Sequence, residues 1–390
     1  MKKNNAWNHK HIFSACIGAA ALLLLGFSAC DFQPAKNLVD GRPVGGRLAQ
    51  GRPELEEYIE SSTGGGSGGA TIDTVQSGDK KNYPMLSKTE IKELLDDTDT
   101  KELLKLTPIM KTMPDWNPKK ETTWNPGEVK EEALELTLDR LNAIRRICGL
   151  YPVIMHPDNN KSAQYGAALM SLSKTVGHGN QPQPAGVDTD SYEKGKKATG
   201  GGNIYQLPPE KLIAAVDGYC LDPGNPNIGH RITLLSPNQM QVGFGTVPAP
   251  PGGWGSNVLQ VYSLPHTLTE EDKKTRPADF DQNWNFISYP AAGYFPLEGN
   301  LFGSPAFWHV QFNGDKYTVG SGKIIVTNLG TGEQWVEEHA GGLTIIFNKS
   351  TKWRPELGTY TFEVTGVRGK DTGIPERFVF TTEFFNRHTL

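Results

Sequence analysis

The chain is 390 residues long, more than one domain ordinarily holds, and its length predicts two or three. Hydrophobic residues at 37% and charged residues at 21% fit globular domains joined by polar segments. A net charge of −4, with no Lys/Arg stripe interleaved with aromatics, gives no reason to expect a nucleic-acid partner.

The N-terminus reads as an export signal over residues 1–29. Lys2, Lys3 and Lys10 form a basic start, an apolar run extends from Ile17 to Phe27, and the small residues Ser28 and Ala29 precede Cys30. The run is shorter than the roughly 20 apolar residues of a membrane span. A cysteine directly after such a core resembles a bacterial lipobox, although Phe27 stands where Leu or Val is usual. The expectation is a protein exported to the cell envelope or cell surface. Cys30 would be lipidated and become the first mature residue, with the membrane as partner through that anchor. Cys148 and Cys220 are then the cysteines of the globular part. An exported protein can pair two cysteines, but the sequence does not place them within bonding distance, and both states stay open.

Residues 31–84 read as a flexible tether. They contain Gly64-Gly65-Gly66-Ser67-Gly68-Gly69 and few aliphatics, too little apolar surface to offset chain entropy. Residues 85–124 form a lead-in. Ile91, Leu94 and Leu95, then Leu103, Leu104 and Leu106, have helical spacing and predict a short helical pair broken near Asp96-Asp97.

The next unit, 125–270, opens on Asn125-Pro126-Gly127-Glu128, a helix-start pattern with a cap residue, a proline and a glutamate. Leu134, Leu138, Leu141, Ile144 and Cys148 continue at three- and four-residue steps, and Gly149 is a natural stop. Further helices are predicted at about 162–173 and 208–219, and short strands at 240–245 and 258–262. Helices first and strands late make an α+β pattern. From about Asn283 the period changes to two: Leu343, Ile345 and Phe347, then Tyr360, Phe362 and Val364, then Phe378 and Phe380 share faces. Several short strands without helices predict an all-β sandwich over 283–390. The segment 358–364 with its following turn resembles bacterial Ig-like modules.

Three words carry the chemistry of the middle unit: Gly177-His178, Gly201-Gly202-Asn203-Ile204 and Gly229-His230-Arg231, followed by Val242-Gly243-Phe244-Gly245. Asn142, Arg145 and the turn Gly149-Leu150-Tyr151-Pro152 precede them. Their order and spacing resemble the CAP superfamily, the fold of cysteine-rich secretory proteins, antigen 5 and pathogenesis-related proteins, in its bacterial SCP-like branch. The resemblance implies a three-layer α-β-α sandwich with His178 and His230 lining one open cleft beside Asn203 and Asp222. It also implies that a zinc ion on His178 and His230 is a conceivable cofactor, since neutral imidazoles bind Zn²⁺ well and flanking carboxylates orient them. The chain departs from the family at Gly202, where the family usually has a glutamate, and this removes the best general base. Asp222 stands near the position of the second acid and also suits a turn before Pro223-Gly224. Asn203 suits a residue fixing the loop beneath the cleft, and Arg231 suits a surface salt bridge ahead of an anion contact.

Other motifs fail. The one Gly-x-Ser-x-Gly lies in the tether at 65–69, Gly200 to Asn203 lacks the Gly-Lys-Ser/Thr of a phosphate loop, and His-Glu-x-x-His is absent. The resemblance favours a non-enzymatic module whose cleft takes a lipid or protein ligand. The alternatives are a metal-dependent hydrolase using His178 and His230, and an adhesion or structural protein working through the sandwich. An exposed aromatic patch around Trp308 or Trp335 would favour the last of these.

Overall fold

A computed structural model describes residues 86–103, 109–115, 124–206, 212–223, 225–248, 255–261, 284–297, 307–348 and 353–390. The expectations for the signal peptide, Cys30 and the tether lie outside these residues. Among the described residues, no helix is long and apolar enough to cross a membrane.

The first helix, α1 (Lys88–Leu103), runs unbroken through Asp96 and Asp97, where a break between two helices was expected. The acids are used as ion-pair partners rather than as a turn. Asp96 pairs with Lys92 one helical turn back and with Arg387 from the far end of the chain. Asn125 to Glu128 do not start a helix either. They lead into β2 (Glu128–Val129), which pairs with β1 (Met110–Thr112), and the amide of Asp115 donates to the carbonyl of Asn125. The helix α2 (Glu131–Ile147) begins later, after Lys130, which makes no side-chain cap. Glu131 and Glu132 in its first turn and Arg145 and Arg146 in its last complement the helix dipole. Its apolar stripe is as read: Leu138, Leu141 and Ile144 are buried.

A four-stranded sheet forms the middle layer, in the order β3 (Ile154–Met155), β5 (Gln241–Val247), β6 (Ser256–Gln260), β4 (Gly202–Tyr205). On one face lies α3 (Pro157–Ser173). A Cβ on Gly243 would sit 2.0 Å from the backbone of Asn159, and one on Gly245 2.2 Å from that of Ala163, so glycine alone permits this approach. Ala163, Ala167, Ile204 and Val258 fill the layer between them. The opposite face carries Phe244 and Leu259, which share a core with Leu141 and Ile144 of α2 and with Val216 and Tyr219 of α5 (Leu212–Leu221). The outcome is α+β with helices on both sides of the sheet. The helix α4 (Thr189–Gly201) was not foreseen, because its face is poor in apolar residues. Its start is nevertheless written in the sequence, since the Asp188 carboxylate accepts from the amide of Ser191 at 2.9 Å.

The C-terminal region is β-rich. Strands β12 (Gln334–His339), β11 (Gly322–Asn328), β14 (Gly358–Gly369), β15 (Pro375–Phe385) and β8 (Gly293–Pro296) lie side by side, with β10 (Tyr317–Val319) also on β14. A second sheet has the order β13 (Thr344–Phe347), β9 (Trp308–Phe312), β7 (Phe286–Tyr289). Rings join the two sheets: Phe312 lies 5.0 Å from Phe378, Phe286 5.9 Å from Phe378, and Phe347 6.2 Å from Phe362. The period-two residues Tyr360, Phe362, Val364, Phe378 and Phe380 are all buried. Leu343 is not, because it precedes β13 and is 42% exposed, while Ile345 and Phe347 keep the inward face. Trp308 is fully buried and Trp335 packs against the core, so these two tryptophans do not make an exposed aromatic patch.

The apolar core does not stop between the two regions. Cys148, Val216, Cys220 and Leu234 belong to the same cluster as Ile287, Tyr289 and Trp308. Helix α1 is held to both sides. Asp99 accepts from Arg140 of α2 at 3.0 Å and from Arg387 at the C-terminus at 2.5 Å.

Candidate functional site

The site forms where α5 ends and the short helix α6 (Gly229–Leu234) begins. Asp222 follows α5 with φ +49°, a left-handed conformation that turns its carboxylate toward α6. Oδ1 lies 2.5 Å from Nδ1 of His230, and Oδ2 accepts from the His230 amide at 3.1 Å and from Asn225 Nδ2 at 3.3 Å. Ile228, at the start of α6, supplies no cap, so Asp222 satisfies an amide that would otherwise be orphaned. Asp222 is therefore both the turn former and the partner of His230.

Both groups are buried, and burial decides their charge. Desolvation pushes the Asp222 carboxyl up to about 7 against the opposing pull of Arg231, Asn225 and the α6 amides. Desolvation also drives His230 far below the usual histidine range, with His178 and Arg231 adding to the effect. The imidazole is neutral. Above neutral pH it donates Nδ1–H to the ionised Asp222, which leaves Nε2 as an acceptor.

His178, whose electrostatic effect reaches His230, is the second histidine of the site. It lies in the loop after α3 and is half-buried. Its Nδ1 is 2.9 Å from the carbonyl of Thr199 in α4. A carbonyl only accepts, so Nδ1 carries the proton, and the buried Nε2 makes no hydrogen bond. Gln181 holds this loop by donating to the Gly177 carbonyl and accepting from Thr199 Oγ1 at 2.8 Å, and Tyr192 donates to the Gln181 carbonyl at 2.9 Å.

The remaining neighbours come from α5 and the sheet. The Tyr219 ring lies 5.6 Å from the His230 ring and 5.9 Å from Tyr205, and its hydroxyl donates to Asn257 Oδ1 at 2.9 Å. Asn203 is on β4, opposite Leu259. It does not fix a loop: it is fully buried in a strand, and neither of its amide atoms makes a hydrogen bond. The predicted open cleft also differs in character, since His230 has no exposed surface while His178 is only partly covered. Asn257, Thr199 and Gln181 escaped the sequence reading because sheet register and helix ends, not spacing, bring them here.

Arg231 corrects another expectation. It is wholly buried, and among the described residues it forms no surface salt bridge. Nε donates to the Cys220 carbonyl at 2.5 Å, Nη2 to that of Leu221 at 2.7 Å and Nη1 to that of Phe307 at 2.8 Å, with the guanidinium 4.4 Å from the Tyr289 ring centre. Cys148 and Cys220 are free thiols, both buried, and burial pushes Cys220 up to about 12 and Cys148 well above the usual thiol range.

A resident zinc ion needs three or four protein donors. His178 and His230 offer two imidazoles, and the Asp222 carboxylate is already committed to His230. Among the described residues, no group of three or more His, Cys, Asp or Glu is placed to hold a metal. Gly202 offers no third donor, and a Cβ there would lie 2.6 Å from the Ala198 carbonyl and 3.0 Å from Val258. The backbone has closed over the position of the family's acid, and the donor set does not fit zinc.

No curated protein matches the chain. Residues 138–262 match the family model for CAP, the cysteine-rich secretory protein family. That stretch runs from within α2 past β6 and takes in His178, Asn203, Asp222 and His230, so the part of the chain that builds this site is similar to that family.

Proposed function

We propose that this is an exported, lipid-anchored envelope protein whose CAP domain, followed by an Ig-like sandwich, binds a lipid or protein ligand through the His178–His230 site. At the family level, a CAP domain points to an extracellular binding module. The observation that carries the reading is the way both imidazoles are held, His230 by Asp222 and His178 by the Thr199 carbonyl. Each ring is held through Nδ1, which fixes the direction of its other nitrogen, an arrangement suited to recognition. The charged groups nearby are committed elsewhere, Asp222 to α6 and Arg231 to three carbonyls.

Side-chain ¹H–¹⁵N spectra of the histidines, recorded while phosphatidylethanolamine/phosphatidylglycerol micelles are added, test the lipid form of this reading. The expected result is a saturable shift at His178 with none at His339, whose Nε2 is bound to the Thr365 carbonyl in the sandwich. Equal shifts at both would contradict it. Anchoring is tested by metabolic labelling with an alkyne fatty acid, which Cys30→Ala should abolish; label that persists in this variant would overturn it.

A further inference from the structure

We propose that the C-terminal sandwich is a structural part of the His230 site, acting through Arg231 as a positioning residue. The contacts form a continuous chain. From the sandwich, the Phe307 carbonyl and the Tyr289 ring hold the guanidinium of Arg231. Arg231 in turn holds the carbonyls of Cys220 and Leu221, the last residues of α5. The next residue is Asp222, which holds the ring and the amide of His230.

The two helix ends are thus tied twice, in opposite senses. A side chain of α6 satisfies the terminal carbonyls of α5, and the residue after α5 satisfies an amide at the start of α6. Each tie supports an element that is weak by itself. Asp222 lies on a strained left-handed turn, and α6 is only six residues long with no cap of its own. The aromatic face of Tyr289 closes the arrangement from below by receiving the guanidinium of Arg231. The sandwich surface under Arg231 is equally specific. His309, opposite Tyr289 on the neighbouring strand, is fully buried and makes no hydrogen bond through either ring nitrogen. Burial, reinforced by Arg231, keeps it neutral, so Arg231 is the cation of this seam.

Docking of the sandwich and the geometry of His230 are then linked. By reciprocity, whatever occupies the site tightens or loosens the seam by the same free energy. The linkage holds whatever the ligand is, and its test needs none.

Full-length protein is compared with Tyr289→Leu at pH 8 by long-range ¹H–¹⁵N correlation of the imidazoles. The wild-type His230 should give two well-separated ring nitrogen signals. In Tyr289→Leu these should move toward their mean, and His230 should take up a proton at a higher pH, while His178 is unmoved. Tyr289→Phe keeps the aromatic face and should restore the wild-type spectrum. Phe362→Leu removes a ring stacked 4.8 Å from Phe380 inside the sandwich, and should lower Tm without altering His230. If Tyr289→Leu does not fold, Arg231→Lys, which cannot reach three carbonyls, is read in the same way. An unchanged His230 in the folded variant, or an equal change in Phe362→Leu, would overturn the proposal.

Discussion

Asp222 and His230 are eight residues apart and joined at 2.5 Å, with the carboxylate of one set against the imidazole of the other in a site from which water is excluded. The relationship has a pH signature. Asp222 is raised from 3.8 to about 7 on folding, so its contribution is full below pH 3.8 and is lost as pH rises through 7. His230 is lowered from 6.5, so its contribution is lost as pH falls through 6.5. Between about pH 4 and 6.5 the two slopes oppose one another, because the folded and unfolded pair hold the same number of protons. Asp222→Asn removes the first slope and leaves the second. The stability gap between wild type and variant should therefore widen on acidification by up to about 1.4 kcal/mol per pH unit. Urea unfolding at pH 7, 6 and 5 measures it, and a constant gap would contradict the pairing.

Restoring the family's acid should not restore a metal site. Gly202→Glu places a Cβ against the Ala198 carbonyl and buries a charge in a filled layer. A loss of about 1–3 kcal/mol is expected from the steric overlap alone. Differential scanning with and without Zn²⁺ should show a lowered Tm that zinc does not recover. A zinc-dependent rise in Tm would show that the backbone yields and that the acid's absence alone empties the site.

Arg387→Ala should loosen α1 from the C-terminus. The arginine is 5% exposed and bonds both Asp96 and Asp99, although those acids are about a third exposed and solvent weakens the pairs. A cost of about 1–3 kcal/mol is expected. Hydrogen exchange should quicken in residues 88–100 and stay unchanged in α3. Uniform quickening through the chain would mean that α1 is not a separate clasp.

Much of this architecture was legible from residue types. The apolar stripe of α2 and the period-two faces of the C-terminal strands could be read directly, and the family match takes in both Gly-His words. What stayed hidden depends on distance in space. Asn125-Pro126-Gly127-Glu128 has the local chemistry of a helix start, yet pairing with β1 claims it. Arg231 reads as a surface charge because a one-dimensional pattern cannot show the carbonyls at 220, 221 and 307 converging on it. The parallel pairing of β8 with β15 joins segments about ninety residues apart and leaves no mark in alternation. Gly202 was read as a lost carboxylate, whereas the contact with Ala198 shows a position that no longer has room for one.

The most direct measurement is the tautomeric state of His178 and His230 in the wild-type protein at pH 8, read from long-range ¹H–¹⁵N correlations. The predicted result is a single neutral tautomer for each, with the proton on Nδ1 and Nε2 bare. A proton on Nε2 of either ring, or averaging between the two nitrogens, would contradict the account of a site held by Asp222 and the Thr199 carbonyl.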